Sequence, residues 1–347
     1  MSGFLVLEDG SVFRGRSVAA GGVAFGEAVF TTAMSGYQEV VTDPSFAEQI
    51  VCFTAPMVGN YGVAPARSES DRPHARAVVM RRAGSEEWTR WLARRGVVAL
   101  EDVDTRGLVL HLRARGAMRA AAVAGAASPD AVLERVHAHP RMEGRSLVAG
   151  VSTDEAYSLG RVRPRLAVVD YGCKQSIIRR LLARGASVRV FPHTISAAEL
   201  LRDNPDAVVL SNGPGDPAAL VDEVRTVSEL VGRVPILGIC LGHQLLARAA
   251  GYATFKLRFG HRGANHPVLE LATNRVLVTA QNHGFAVTAS GSDVTHVSLY
   301  DGTVEGLALA SAGARSVQFH PEASPGPHDA RPILDAFVDE VRGAAAA

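Results

Sequence analysis

Apolar and polar positions follow one rule before the middle of the chain and another after it. From Arg165 onward, short apolar runs alternate with amphipathic stretches. Leu166–Asp170 reads as a buried strand, and 175–185 (QSIIRRLLARG) as an amphipathic helix closed by Gly185. Ser187–Phe191 follows as a strand, Ala197–Arg202 as a short helix, and Ala207–Ser211 as a strand entering the turn NGPGDP. A helix over Ala218–Val231, a strand over Pro235–Cys240 and a helix over 241–251 continue the series. Near-continuous apolar strands separated by helices predict a mostly parallel open sheet covered on both faces, with right-handed crossovers. After Gly251 the pattern turns to β-ribbons at 268–271, 275–280, 295–300, 304–310 and 315–320, and a last helix is expected over Asp329–Val341.

The first half is less regular. Phe4–Leu7, Val29–Thr32 and Ile50–Thr54 read as strands broken by glycine. A polar, Arg-rich stretch covers Ala64–Arg76. Helices are expected at Glu86–Arg95, capped by Ser85, and at Thr105–Arg115, where Leu108, Val109 and Leu112 share a face. Residues 152–164 are polar and end in Pro, which predicts a linker. The expected organisation is a mixed β/α domain over 1–151, a linker over 152–164 and an α/β domain over 165–347.

Composition narrows the class. At about 100–200 residues per domain, 347 residues suggest two domains or three. With 47% apolar residues the chain can bury ordinary cores, which excludes overall disorder. Lys+Arg of 36 against Asp+Glu of 35 leaves +1, with no basic excess for nucleic acid or a membrane surface. No run reaches the ~18 apolar residues of a membrane span, and the N-terminus lacks the pattern of a signal peptide. Three scattered cysteines fit a reducing cytoplasm, and without a C-x-x-C pair no metal site is expected. Arginines outnumber lysines 34 to 2, because Lys174 and Lys256 are the only lysines.

Cys240 leads the candidate chemistry. It closes an apolar strand, precedes a helix, and stands between Gly238 and Gly242. A nucleophile at a tight strand-to-helix turn is the elbow arrangement of α/β hydrolases, with Cys in place of Ser. The glycines let the turn tighten, and the helix N-terminus favours a thiolate. A buried core cysteine is the plainer reading of the same residue. His320 and Glu322 point to one face of an extended segment, so the carboxylate can orient the imidazole as a general base. With Cys240 they complete a Cys–His–Glu triad. The turn 211–217 (SNGPGDP) ends a neighbouring strand, where open α/β sheets bind ligands, and its N–H groups could join that of Leu241 at an oxyanion. Cys52 reads as core, and Cys173 as a thiol exposed at a strand end. His243 and His283 read as packing or hydrogen-bonding residues. Lys174 sits at a helix start that disfavours cations, so it is either a solvated lysine or one with an acidic partner, near the site or on another protein.

GICLGHQ at 238–244 followed by HPE at 320–322 resembles the signature of class I glutamine amidotransferases. SNGPGDP, GICLGHQLLA, FGHRGANHPV, QNHGFAV and HPEASPGPHDA together resemble the small, glutamine-hydrolysing subunits of carbamoyl-phosphate synthases. So do SGYQEVVTDPSFAEQIV, GNYG, ESDRPHARAVV and VDTRGLVLHLR in the first half. The likeness covers nearly the whole chain. It departs at Val79–Glu87, which is shorter, at Arg262, where a second His is common, and at Gly107, where Ala is usual.

The resemblance implies that glutamine is hydrolysed to glutamate and ammonia, with Cys240 as nucleophile, His320 as base and Glu322 as its partner. Gly213 and Leu241 would serve the oxyanion. Gly215, Gln244, Asn282, Gly284 and Phe285 would line the glutamine pocket, and Ser45 would reach in from the first domain. It further implies a heterodimer, or a higher oligomer, with a large subunit docked on the first domain. That subunit would make carbamoyl phosphate from bicarbonate, ammonia and two ATP, for arginine and pyrimidine synthesis. No cofactor is expected on this chain, which lacks a G-x-x-x-x-G-K-[ST] loop; ATP and magnesium would belong to the large subunit. An amidase or peptidase working alone, a glutaminase for another synthetase, a non-catalytic scaffold and an effector-binding module are the competing readings. The first 150 residues and the intact triad speak against them.

Overall fold

The computed structural model describes residues 2–346. Its chain forms two compact units, Met1–Glu143 with Arg258–Gly263, and Gly144–Leu257 with Ala264–Ala347.

The first unit is built on a closed barrel in the order β1-β2-β6-β5-β4-β3-β7. Its strands are β1 (Ser2–Leu7), β2 (Val12–Ser17), β3 (Gly22–Thr31), β4 (Gln49–Phe53), β5 (Ala77–Val79), β6 (Val98–Glu101) and β7 (Met118–Ala124). Helices α1 (Tyr37–Thr42), α2 (Glu86–Arg94), α3 (Thr105–Arg115) and α4 (Pro129–Ala138) accompany it. Ser85 caps α2 by accepting the Trp88 N–H at 3.3 Å, and Leu108 and Leu112 of α3 are fully buried. β7 is rich in alanine, with four in seven residues, and Ala120, Ala121 and Ala122 are fully buried. Small side chains let strands approach in a narrow interior. At Gly3 an added Cβ would lie 2.6 Å from Leu100 Cδ2 and 2.8 Å from Val123 O. Arg262 is buried within this unit and donates to Phe259 O at 2.8 Å.

The second unit carries a ten-stranded sheet among the described residues, in the order β14-β13-β15-β16-β17-β12-β11-β9-β10-β8. The strands are β8 (Tyr157–Leu159), β9 (Arg165–Asp170), β10 (Ser187–Pro192), β11 (Ala207–Leu210) and β12 (Ile236–Ile239), then β13 (Ala253–Glu270), β14 (Arg275–Thr288), β15 (Val294–Ser298), β16 (Val304–Leu309) and β17 (Ala314–Val317). Strands β10, β9, β11, β12 and β17 pair in parallel. β8 and the wing β13–β16 are joined to this centre in antiparallel fashion. Helices α5 (Gln175–Ala183), α6 (Ala197–Arg202), α7 (Val221–Leu230), α8 (Leu241–Ala249) and α9 (Arg331–Ala346) complete the unit. One core gathers Val169, Leu210, Leu245 and Leu246, and another gathers Val168, Val209, Ile178 and Phe337. Both faces of the parallel centre are thus covered, as its continuous apolar runs require. β9 and β11 are spatial neighbours separated in sequence by β10, so the chain reverses direction across the sheet between them. Crevices at such a switch point, beyond the carboxyl ends of the strands, are where open sheets bind ligands.

The segment 144–164 differs from its sequence reading. Val148 belongs to a core of the second unit, and Ser146 bridges Gly215 there. Residues 152–164 are no free linker either: β8 pairs with β10, and Thr153 N–H donates to Asp170 Oδ2 at 2.8 Å. Polar side chains hid these backbone pairings.

Candidate active site

β12 ends in Cys240, which takes φ 54° and ψ −102° before α8 begins. That region is sparsely populated for a side-chain-bearing residue, costs about 1–3 kcal/mol, and persists only where its surroundings enforce it. They do. Cys240 N–H donates to Val317 O at 2.9 Å, Gly242 N–H to Ser211 O at 3.0 Å, and Gln244 N–H to Cys240 O at 3.2 Å. The flanking glycines serve close packing, whereas the unusual backbone angle falls on the cysteine itself. A Cβ at Gly242 would lie 2.2 Å from Leu210 O, and one at Gly238 2.6 Å from Gly242 O.

Cys240 is buried at 2% exposure. Its sulfur meets Asn282 O at 3.6 Å and Gln318 Nε2 at 3.7 Å. His320, also buried, holds Glu322 Oε1 through Nδ1 at 2.8 Å, which leaves Nε2 as the ring nitrogen for the Cys240 thiol. Burial alone would push the His320 pKa down. The Glu322 carboxylate, with hydrogen bonds to Cys240 and Glu322, overcomes this and the opposing charge of Lys174, and raises it to about 10. For Glu322, burial pushes upward, but the charges of Lys174 and His320 outweigh it and hold the carboxyl well below its ordinary range.

Lys174 is not a surface lysine. It is 3% exposed, its Nζ lies 2.7 Å from Glu322 Oε1, and it also donates to Ser324 O. Glu322 Oε1 therefore serves Lys174 and His320 together. The backbone of Lys174 is fixed by Asn212, whose Oδ1 accepts its N–H at 3.0 Å while Nδ2 donates to Gly172 O at 2.9 Å. Asn212 thereby ties the loop after β9 to the loop after β11.

The turn after β11 lies against the elbow. A Cβ on Gly213 would sit 2.1 Å from Tyr171 O and 2.8 Å from Leu241 Cδ2. Leu241 N–H opens α8 and has no acceptor within the helix. Gly215 adopts φ +97°, and a Cβ there would meet Arg145 O at 2.7 Å. Asp216 holds this arrangement through Oδ2, which accepts Gly144 N–H at 2.8 Å, and Oδ1, which accepts Ala218 N–H at 2.8 Å. Gln244 Nε2 donates to Phe285 O at 2.9 Å and to Gln318 Oε1 at 3.0 Å. Asn282, Gly284 and Phe285 lie on β14, and Lys256 stands over the Phe285 ring at 5.8 Å.

Cys240, His320, Glu322, Gly213, Leu241, Gln244, Asn282 and Phe285 thus belong to one unit, around the carboxyl ends of β11 and β12. Ser45 belongs to the other unit, in the turn Pro44–Phe46, where Asp43 Oδ1 accepts its N–H at 2.9 Å. Cys52 is buried in β4, and burial pushes its thiol far up. Cys173 is buried as well rather than exposed, because Asp170 Oδ1 accepts its N–H at 2.7 Å and folds the turn inward. His243 gives Nδ1 to Ser316 Oγ at 2.9 Å, and burial lowers its pKa to about 3, so the ring is neutral.

Sequence reasoning overlooked Gln318, a fully buried amide against the sulfur. It lies two residues before His320 between the apolar Val317 and Phe319, and that spacing was the available signal. Chemically, the site offers a thiol, a base oriented by a carboxylate, and backbone N–H groups beside the sulfur. This set suits attack on an acyl carbon.

Two family profiles match the sequence. One, described as "Glutamine amidotransferase class-I", covers residues 167–340. The other, "Carbamoyl-phosphate synthase small chain, CPSase domain", covers residues 5–122. Among curated proteins, the chain is 43% identical over 373 residues to the carbamoyl phosphate synthase small chain of Nitratidesulfovibrio vulgaris (strain Miyazaki F), covering 99% of each. It is 43% identical over 370 residues to the Escherichia coli K12 small chain, covering 97% of each. With the Streptomyces avermitilis small chain it shares 45% over 364 residues, covering 98% of this chain and 96% of the relative.

Proposed function

The chain belongs to the carbamoyl-phosphate synthase small-chain family, as its glutamine amidotransferase subunit, and from that premise we propose that Cys240, His320 and Glu322 carry the hydrolysis of glutamine. The observation that carries this reading is the strained Cys240 elbow facing an imidazole held by Glu322 at 2.8 Å.

The Glu322 carboxylate favours the protonated ring of His320, so the imidazole takes up and holds the Cys240 proton and leaves the sulfur as a thiolate beside an imidazolium. The sulfur attacks the carboxamide carbon of glutamine, and the developing oxyanion is met by the N–H groups of Leu241 and Gly213, near which Gly213 packs on Leu241. The imidazolium then protonates the leaving nitrogen, ammonia departs, and a thioester remains on Cys240. Water gives a proton to His320, attacks the thioester, and releases glutamate as the thiol recovers its proton. Gly215, Gln244, Asn282, Gly284 and Phe285 form the pocket for the substrate's amino-acid end. Ammonia passes to a large subunit, docked on the first domain, which uses ATP and magnesium to form carbamoyl phosphate for arginine and pyrimidine synthesis. The pairing takes place in the cytoplasm, a reducing compartment that suits a chain whose cysteines form no disulfide among the described residues.

Acid quenching during turnover of labelled glutamine, followed by peptide mapping, tests the covalent step. The label is expected on the peptide containing Cys240. Label on a peptide carrying Cys52 or Cys173 instead contradicts the assignment.

A further inference from the structure

Gln318 is completely buried just beyond the end of β17. A buried primary amide is costly unless its groups are paired, and an apolar residue of like size would avoid that cost. Its groups are paired in a way that fixes which end faces Cys240. Phe285 O can only accept, so Gln244 must turn its NH2 toward it, at 2.9 Å. The same NH2 reaches Gln318 at 3.0 Å and requires oxygen there. The NH2 of Gln318 is then left for Cys240 Sγ, at 3.7 Å. The backbone is pinned too, because Gln318 N–H donates to Glu305 O at 2.8 Å.

The sulfur therefore stands between two opposite polar groups. The Asn282 carbonyl, at 3.6 Å, suits a neutral S–H that can donate to it. The Gln318 amide suits a sulfur carrying negative charge, since hydrogen bonds to ions are about twice as strong as neutral ones. We propose that Gln318 is a further catalytic residue, whose Nε2–H stabilises the Cys240 sulfur as its proton passes to His320 and again when the thioester breaks. No bond of Gln318 forms or breaks. The electron pair stays on sulfur until it enters the S–C bond, and returns to it when glutamate leaves. Gln244 is the positioning residue that sets the amide's direction.

This inference rests on Cys240 being the nucleophile, and the test separates the two. Gln318→Met keeps the volume and loses the donor. Gln318→Glu keeps an oxygen for Gln244 but turns an acceptor toward the sulfur. Both are compared with wild type and Cys240→Ser in the complex with the large subunit, by glutamine kcat, KM and thermal melting. A hydrogen bond to a charged group contributes about 1.5–3 kcal/mol, so Gln318→Met is expected to lower kcat roughly 10- to 100-fold with KM within about twofold. Gln318→Glu is expected to fall further. A space-filling role gives the reverse order, because Glu preserves the contact with Gln244. Glu retaining more activity than Met, or a Met variant with kcat within twofold of wild type, overturns the proposal. If Gln318→Glu does not fold, the kcat of the Met variant decides alone. Hydrolysis surviving in Cys240→Ser defeats the underlying reading instead.

Discussion

Glu322 answers to two cations through one oxygen, and this makes the members of the triad unequal. In the proposed mechanism His320 moves protons, a role worth about 10²–10⁴ in rate, whereas Glu322 orients it and supports its charge. Glutaminase kcat should therefore fall more for His320→Asn than for Glu322→Gln, and the opposite order contradicts the ranking. The same pair leaves a mark on stability. The folded carboxyl of Glu322 lies below its ordinary 4.5, so its contribution is present above that value and is lost as pH falls through the folded value. The folded imidazole lies above 6.5, so its contribution is complete below 6.5 and is lost as pH rises toward about 10. The melting-temperature advantage of wild type over Glu322→Gln should be largest between pH 4.5 and 6.5 and shrink toward pH 10. A pH-independent difference contradicts the coupling. Lys174→Met strands a buried carboxylate that has lost one cation, a change that costs about 3–5 kcal/mol in comparable pairs. Both the melting temperature and glutamine turnover should drop. Unchanged values would return Lys174 to the surface role that its sequence position allowed.

At the scale of elements, the elbow depends on backbone contact more than on flexibility. Gly242→Ala would place a Cβ 2.2 Å from Leu210 O, a backbone atom that cannot swing aside. Forced overpacking of this kind costs about 1–3 kcal/mol, so circular-dichroism melts should show a destabilised fold, together with lost glutaminase activity. Wild-type melting and turnover in this variant would show that β11 and α8 do not need their close approach. The glycines and the cysteine were legible in the sequence because strand, turn and helix each carried its own pattern. The strained residue was not, since nothing in the letters separates a glycine needed for φ from one needed for contact. β7 was hidden by its alanines, which have weak strand propensity and are chosen for a narrow barrel. Only the end of β13, read as a strand from 268, was visible, because polar and charged residues interrupt the alternation of the rest. Lys174 was half legible: its misplacement at a helix start was visible, but its partner lies 148 residues away.

Over the whole molecule, the two matched families fall on different units, residues 5–122 in the first and 167–340 chiefly in the second. The second unit contains the thiol, the base and the carboxylate, so glutamine hydrolysis is proposed to reside there. The synthesis that consumes ammonia is proposed to belong to the partner. Glutamine-dependent and ammonia-dependent activities should therefore part when the thiol alone is changed. The most direct measurement is carbamoyl phosphate formation by the Cys240→Ser chain reassembled with its large subunit, supplied with glutamine or with ammonium in parallel. The account predicts no synthesis from glutamine and wild-type synthesis from ammonium. Glutamine-dependent synthesis at the wild-type rate would contradict it.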